Sequence, residues 1–230
     1  MKALVLSSGG VDSTTCVALA VDRHGEENVI TASLYYGQKH DKELECARRI
    51  AEYYGVRHIE EDISNIMKYA GSVCTLVKGG GEISHESYAK QIEKNGRVST
   101  YVPFRNGLLL SIAASYADSL FPDEDVLIYY GAHADDAAGE AYADCSPEFV
   151  NAMNNAINIG TYGRITVLSP FVHLHKSDIV KIGLQLKVPY DFTWSCYEGG
   201  EYACGKCATC LDRKKAFELA GSVDPISYKE

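Results

Sequence analysis

The first residues that could do chemistry form a glycine-rich loop, Ser8-Gly9-Gly10-Val11-Asp12-Ser13, between an apolar run and a stretch with helical spacing. Backbone N–H groups at a helix start attract anions, and glycines let the backbone approach a ligand closely. The hydroxyls of Ser8 and Ser13 can donate to phosphate oxygens, and the Asp12 carboxylate can hold magnesium. We therefore expect this loop to bind the pyrophosphate of ATP.

The alternative for the same residues is an ordinary strand-to-helix turn that Asp12 or Ser13 caps. Several glycine and hydroxyl requirements coincide here, which favours phosphate binding. The residues predicted to bind ATP are Ser7, Ser8, Gly9, Gly10, Val11, Asp12, Ser13, Thr14, Thr15 and Cys16.

Four cysteines near the other end of the chain, Cys196, Cys204, Cys207 and Cys210, have the spacing C-x7-C-x2-C-x2-C. Two-residue gaps let neighbouring thiolates reach one metal ion, and four thiolates form a closed tetrahedral zinc site. Such a zinc ion would stabilise a segment too small to fold by burial alone. An iron–sulfur cluster is the alternative metal group. Four reduced cysteines packed as small hydrophobic side chains are the alternative without metal.

Further polar residues follow expected strands, and the carboxyl ends of parallel strands carry the ligand crevice. Arg105 and Asn106 come at a helix start, where an anion or a purine edge could be bound. For each of these residues a solvated surface side chain or a helix cap is the alternative. The candidates for substrate binding are Gln38, His40, Phe104, Arg105, Asn106, His133, Asp135 and Asp144.

The catalytic candidates are Asp12, Asp136 and Lys176. Asp136 could bind magnesium or orient an amine, although paired aspartates at a helix start are equally often caps. Lys176 could reach the phosphates as a point charge, and a surface lysine is the alternative.

Apolar periodicity predicts the elements that must position these residues. Strands that alternate with helices of this length imply βαβ units and a parallel sheet. The segment 68–99 is rich in glycine, serine and charge, so we expect a long loop or a partly ordered lid there. We expect strands at 2–6, 28–37, 56–62, 125–130 and 165–168, and helices at 11–24, 39–54, 106–120, 147–157, 176–186 and 210–220.

Length and charge limit the kind of protein. A chain of 230 residues that is 46% hydrophobic can form one substantial core. We expect an α/β domain at 1–193 with a four-cysteine tail at 194–230 packed on it as one folding unit. The 22 basic against 31 acidic residues give a net charge of −9, which opposes binding to nucleic acid. No apolar run is long enough to span a bilayer, so we expect a soluble, cytoplasmic protein with a small-molecule substrate.

The loop hexapeptide resembles the pyrophosphate loop of the N-type ATP pyrophosphatases, the PP-loop superfamily. That resemblance implies a doubly wound, parallel-sheet domain of the adenine-nucleotide alpha-hydrolase-like class. It also implies attack at the α-phosphorus of ATP, which gives an adenylate and pyrophosphate.

Taken together, the motifs SGGVDS, YYGQKH, TYVPFRN, GAHADD, YADC, TWSCYEGG and CGKCATC resemble the 7-cyano-7-deazaguanine synthases over nearly the whole chain. The resemblance implies 7-carboxy-7-deazaguanine, ammonia and ATP as substrates, on the route to queuosine and related deazapurines. It implies adenylation of the acid, ammonia attack to give an amide, then adenylation of the amide oxygen to give the nitrile. Magnesium, a structural zinc ion and a homodimer are implied as well.

One motif departs from the family, because members often have proline where this chain has Ala143 in Tyr142-Ala143-Asp144-Cys145. This leaves open a related enzyme that stops at the amide or couples the activated acid to another amine. A tRNA-modifying enzyme of the same superfamily is a further alternative, which the negative net charge disfavours. A nucleotide-binding sensor without catalysis is the alternative that is not an enzyme.

Overall fold

Apolar residues along strand β1 (Lys2–Leu6) point to both faces of a sheet, with Ala3 and Val5 on one face and Leu4 and Leu6 on the other. A strand that is apolar on both faces needs helices on both sides, as in the centre of a parallel sheet. The computed structural model describes residues 1–70, 73–84, 86, 88–96, 98–137 and 141–229. Within them, five parallel strands lie in the order β3-β2-β1-β4-β5. The other strands are β2 (Val29–Tyr35), β3 (Arg57–Asp62), β4 (Val126–Tyr129) and β5 (Ile165–Leu168).

Helices cover both faces of this sheet. Helices α1, α2 and α7 pack on the face of Ala3 and Val5, and α4 and α6 pack on the face of Leu4 and Leu6. The helices are α1 (Val11–His24), α2 (Lys42–Tyr53), α3 (Tyr88–Asn95), α4 (Arg105–Leu120), α5 (Ala134–Ala137), α6 (Pro147–Gly160), α7 (Lys176–Gln185) and α8 (Ala208–Leu219), with short 3-10 turns at Glu26–Asn28, Ala143–Cys145 and Tyr190–Phe192.

The doubly wound α/β prediction is therefore confirmed. The strand order reverses between β1 and β4, and ligands of open α/β sheets bind outside the carboxyl ends of the strands at such a point. Helix α8 begins two residues before the predicted helix, at Ala208, and α6 continues three residues beyond its predicted end, to Gly160. Among the described residues, no helix is long and apolar enough to cross a membrane.

The segment 68–99, where we expect a long loop or a partly ordered lid, contains one short helix, α3. The helix is short and polar, so its apolar period is hard to see in the sequence. The side chain of Gln91 is buried, donates to the Glu86 carbonyl oxygen and accepts from the Ser99 N–H. Ile92 packs against the core. Within this segment Gly71, Ser72, His85, Ser87 and Arg97 lie outside the described residues.

The tail that contains the four cysteines packs on the α/β layers through α8. Its Ala216 and Phe217 share a buried cluster with Val11 of α1 and Val180 of α7. The fully buried guanidinium of Arg213 donates through two nitrogens to the two carboxylate oxygens of Asp224, at 2.8 and 2.9 Å. This bidentate pair connects α8 to the end of the described chain.

Candidate active site

A cavity of about 1000 Å³ opens at the carboxyl ends of the central strands. Two groups of side chains line it. The first group, here called the loop side, comprises Ser8, Gly10, Asp12, Ser13, His133 and Lys176. The second group, here called the α4 side, comprises Tyr36, Arg105, Asn106, Tyr130 and Cys145. One continuous space therefore joins the predicted phosphate residues to the predicted substrate residues.

The loop itself is held in a tight turn between β1 and α1. The Ser8 N–H donates to Ser13 Oγ, and the two serine hydroxyl oxygens lie 3.1 Å apart. Gly9 has a φ of +72°, and a Cβ atom there would lie 2.4 Å from the Glu43 carbonyl oxygen on α2. Glycine is thus required at this position. No side chain of the described residues caps α1, so the capped-turn alternative is not what the structure contains.

The three catalytic candidates meet at the loop side. The ammonium nitrogen of Lys176 lies 2.7 Å from Asp12 Oδ2, and His133 Nε2 lies 3.6 Å from the same oxygen. His133 Nε2 also lies 3.3 Å from Asp136 Oδ2. Asp12 Oδ1 and His133 Nδ1 are buried and have no hydrogen-bond partner in the described part of the chain. They remain available to a ligand.

The charges in this cluster stabilise one another. Burial alone would raise the pKa of Asp12, but the positive charges of Lys176 and His133 outweigh it and lower that pKa below its ordinary value. Burial alone would lower the pKa of Lys176, and the Asp12 carboxylate instead raises it. Asp12 is therefore ionised and Lys176 protonated at neutral pH.

Asp135 lines the cavity but uses its carboxylate to fix helix α7. One oxygen accepts from the Lys176 backbone N–H at 2.8 Å, and the other lies 2.7 Å from His175 Nδ1. Since Lys176 is the first residue of α7, Asp135 holds the backbone from which the Lys176 side chain reaches Asp12.

On the α4 side, Arg105 donates to the Tyr36 hydroxyl at 3.2 Å, and its guanidinium lies over the Tyr36 ring. Asn106 donates from its backbone N–H to Asp144 Oδ2 and from its side chain to the Asp144 carbonyl oxygen. The Tyr130 hydroxyl donates to the same carbonyl oxygen at 2.8 Å. Burial raises the pKa of Asp144, although the Asn106 N–H and the Arg105 charge oppose that shift.

The cavity brings together most, but not all, of the residues that the sequence predicts. Thr14, Thr15 and Cys16 are fully buried in α1 and do not line it. Gly9 faces α2, Asp144 lies behind Asn106, and Phe104 is 58% exposed outside the lining. The predicted residues that do line it are Ser7, Ser8, Gly10, Val11, Asp12, Ser13, Gln38, His40, Arg105, Asn106, His133, Asp135, Asp136 and Lys176.

Sequence reasoning missed several lining residues. Asp212 and Lys215 come from α8, so the cysteine tail contributes directly to the cavity wall. Their spacing of three residues on one helix face was the available signal, but it also fits a solvated surface. The other missed residues include Glu43, Tyr130 and Trp194.

The four predicted metal ligands form a separate buried cluster. The sulfur atoms of Cys196, Cys204, Cys207 and Cys210 all lie within 4.8 Å of one another. The sulfurs of Cys204 and Cys210 are 3.9 Å apart, and none of the four cysteines is in a disulfide. Zinc–sulfur bonds of about 2.3 Å in a tetrahedron place the sulfurs about 3.8 Å apart, so this arrangement fits one metal ion.

Comparison with known proteins gives consistent results over the whole chain. The sequence model of the family described as "Queuosine biosynthesis protein QueC" matches residues 2–221. The chain is 41% identical to 7-cyano-7-deazaguanine synthase of Oceanobacillus iheyensis, over 99% of this chain and 98% of that protein. It is 44% identical to the protein of the same name from Caldicellulosiruptor saccharolyticus, over 100% of this chain and 96% of that one.

A solved structure supports the fold alone. NMN synthetase from Francisella tularensis aligns over 96% of this chain and 77% of its own, with a TM-score of 0.50 and 14% sequence identity.

Proposed function

The chain belongs to the QueC family of queuosine biosynthesis proteins, and we propose that it converts 7-carboxy-7-deazaguanine, ammonia and ATP to 7-cyano-7-deazaguanine. The observation that carries the proposal is full-length similarity of about 40% identity to enzymes named for that product. The continuous cavity supports it, since one space holds both a pyrophosphate-type loop and a polar pocket beside it.

The first step in this proposal is adenylation of the substrate acid. A carboxylate is a poor electrophile until one of its oxygens becomes part of a leaving group. The carboxylate oxygen attacks the α-phosphorus of ATP, and the bond to the β-phosphate oxygen breaks, which releases pyrophosphate. The amides of the loop and the Lys176 ammonium stabilise the negative charge that develops on the phosphates. The 2.7 Å contact with Asp12 supports this role, because it fixes the Lys176 side chain at the loop.

Ammonia then attacks the acyl carbon, AMP leaves, and the nitrogen loses a proton to give the amide. In a second activation the amide oxygen attacks the α-phosphorus of another ATP, and the bond to the β-phosphate oxygen breaks, which releases a second pyrophosphate. Loss of AMP and the remaining nitrogen protons gives the nitrile. Both activations use the same phosphate chemistry, so one loop can serve both.

We assign substrate binding to the α4 side. Arg105 and Asn106 contact the deazapurine, Gln38 and His40 line the same space, and Asp144 acts through its hydrogen bonds to Asn106. His133 and Asp135 lie toward the phosphates, and the exposed Phe104, which lies outside the lining, is not assigned a contact with substrate. The buried hydrogen bonds of Asn106 support this assignment, because they fix the side chain before substrate arrives.

The proposed enzyme binds two kinds of metal ion. Cys196, Cys204, Cys207 and Cys210 would hold a zinc ion, which stabilises the tail. Asp12 and Asp136 would hold magnesium, which supplies positive charge to phosphate oxygens when bound. Elemental analysis of the purified protein is expected to find stoichiometric zinc; stoichiometric iron with visible absorbance would contradict that assignment.

We further propose that the protein acts in the cytoplasm as a homodimer. A reducing compartment keeps the four clustered thiols available to metal, which supports the location. Light scattering of the purified protein tests the homodimer, and a monomer mass would contradict it.

The decisive experiment is mass spectrometry of the products from ATP, magnesium, ammonium and 7-carboxy-7-deazaguanine. We expect the mass of the nitrile together with AMP and pyrophosphate. An accumulating amide would contradict the second activation, and unchanged acid would contradict the whole assignment. Omitting ammonium is the matched control and should leave no nitrile.

A further inference from the structure

Trp194 lies between the pyrophosphate-type loop and the four-cysteine cluster and contacts both. Its backbone N–H donates to the Gly9 carbonyl oxygen at 2.9 Å. Its indole Nε1 donates to the Cys196 carbonyl oxygen, also at 2.9 Å. The side chain is 5% exposed and packs in one cluster with all four cysteines. One residue thus connects a metal ligand to the loop.

The loop is enclosed from two sides at this point. On one side, a Cβ atom at Gly9 would lie 2.8 Å from Cys46 Cβ of α2, and Cys46 belongs to the same cluster as Trp194. On the other side, a Cβ atom at Gly10 would lie 3.6 Å from the Trp194 carbonyl oxygen. A displacement of Trp194 would therefore remove the hydrogen bond to the Gly9 carbonyl oxygen and the contact beside Gly10, and would widen the range of backbone conformations open to Gly10.

Lys42 holds Trp194 from the outside. Its ammonium nitrogen lies 4.6 Å from the centroid of the indole ring and donates to the Gly200 carbonyl oxygen in the tail. A cation over an indole face is attracted by the ring quadrupole. Trp194 is therefore fixed by groups from α2, the tail and the loop together.

We infer that Trp194 is a positioning residue that couples the occupancy of the four-cysteine site to the conformation of the loop and hence to ATP affinity. The inference rests on the proposed function, because it takes the loop as the ATP site. Metal binding fixes Cys196, the Cys196 carbonyl holds the indole, and the Trp194 N–H holds the Gly9 carbonyl. Metal binding in the tail would then change the ATP affinity of the loop, although the four cysteines do not contact ATP.

The test uses intrinsic fluorescence, because Trp194 is the single tryptophan of the chain. The full-length, zinc-loaded protein is titrated with magnesium and α,β-methylene ATP. We expect a saturable change in tryptophan emission, with the same midpoint that calorimetry gives for binding. Partial removal of zinc by a chelator should change the emission and weaken analogue binding in proportion to the metal lost.

The variant Trp194→Phe keeps the backbone N–H and an aromatic ring but loses the indole donor. We expect its Kd for the analogue to rise about fivefold, as for the loss of one buried hydrogen bond. The KM for the deazapurine acid and the zinc content should not change. Tyr202→Phe is the matched control, since this exposed tail residue does not line the cavity.

Two results would overturn the inference. One is tryptophan emission of the wild-type protein that stays constant while calorimetry shows analogue binding. This measurement requires no variant, so misfolding of a variant cannot explain it. The other is an unchanged Kd in zinc-replete Trp194→Phe. If calorimetry detects no nucleotide binding, the proposed function fails and this inference fails with it.

Discussion

The loop side contains the half-buried Asp12 and the α4 side contacts the buried Asp144, and the two carboxyl groups have opposite pKa shifts. Asp12 at the loop lies beside Lys176 and His133, whose charges lower its pKa despite burial. Asp144 behind the α4 side receives the Asn106 N–H, but burial still raises its pKa. Desolvation penalises both carboxylates, and the charges of Lys176 and His133 outweigh it at Asp12, whereas the charge of Arg105 does not outweigh it at Asp144.

Because of this difference, the two sides suit different parts of the substrates. The loop side has fixed charges of both signs, as a site for a polyanion and its metal requires. The α4 side has one cation, Arg105, among hydroxyl, amide and thiol groups. It is suited to read the shape and hydrogen-bonding edge of an uncharged ring. Substitutions should therefore affect nucleotide and acid separately.

The largest expected effect is that of Lys176→Met, which removes the central cation of the loop side. We expect kcat to fall about 10²–10³-fold, as when one preorganised electrostatic group is lost. Pyrophosphate release measures the effect. Lys181→Met is the matched control, because that exposed lysine pairs with Asp178 on the outer part of the same helix. Equal losses in both variants would contradict the role of Lys176.

The next effect is that of Arg105→Gln on the α4 side. We expect KM for the acid to rise about 10–100-fold, as for a lost charge-assisted hydrogen bond. The KM for ATP should stay within about twofold of the wild-type value if the two sides act separately. Arg48→Gln is the control, since Arg48 forms an exposed pair with Glu60 away from this cavity. A parallel rise in both KM values would contradict the separation of the two sides.

The pH dependence of folding stability distinguishes the two carboxylates, because their contributions should change with pH in opposite directions. Because the native pKa of Asp12 is lowered, its contribution to stability is present above its unfolded pKa and is lost as pH falls through the native value. The stability difference, wild type minus Asp12→Asn, should therefore grow as pH rises toward the unfolded pKa of about 4 and level off by about pH 5.

Asp144 should behave in the opposite way. Its raised native pKa means that the folded state binds the proton more tightly, so wild type loses stability relative to Asp144→Asn as pH rises above the unfolded pKa of about 4. Urea unfolding without added magnesium or nucleotide measures both series. Slopes of the same sign would contradict the opposite environments of the two carboxyl groups.

The two sides also differ in how far the sequence predicts them. The loop side depends on adjacent residues, Ser8 to Ser13, and on groups that follow predicted strands, so local spacing identifies it. The α4 side depends on long-range contacts, such as Arg105 with Tyr36 and Asn106 with Asp144. Nothing in the sequence indicates whether Asp144 faces the ligand or lies behind Asn106. Packing decides that orientation.

Long-range packing also explains why the sequence does not predict helix α3 or the orientation of the tail. The polar sequence of α3 conceals a helix that depends on the tertiary contacts of Gln91 and Ile92. The sequence predicts that the cysteines meet, because their spacing is local. It does not predict that α8 turns Asp212 and Lys215 toward the cavity, since that depends on how the tail docks.

Lys215→Met should have the smallest effect on activity, and it tests whether the loop side extends to α8. Lys215 is exposed at the cavity wall, whereas Lys176 is held within 2.7 Å of Asp12. An exposed cation acts on phosphates through solvent, so we expect KM for ATP to rise only about two- to fivefold at low salt. About 0.5 M salt should abolish the increase, because screening then shortens electrostatic interactions to a few ångströms.

Lys214→Met is the control on the same helix, since the Lys214 ammonium nitrogen lies 4.0 Å from the centroid of the Tyr228 ring instead of at the cavity. If the Lys215 effect persists at high salt, Lys215 contacts the nucleotide directly. The tail would then supply a direct ligand for the nucleotide, and α8 would have to be counted as part of the loop side.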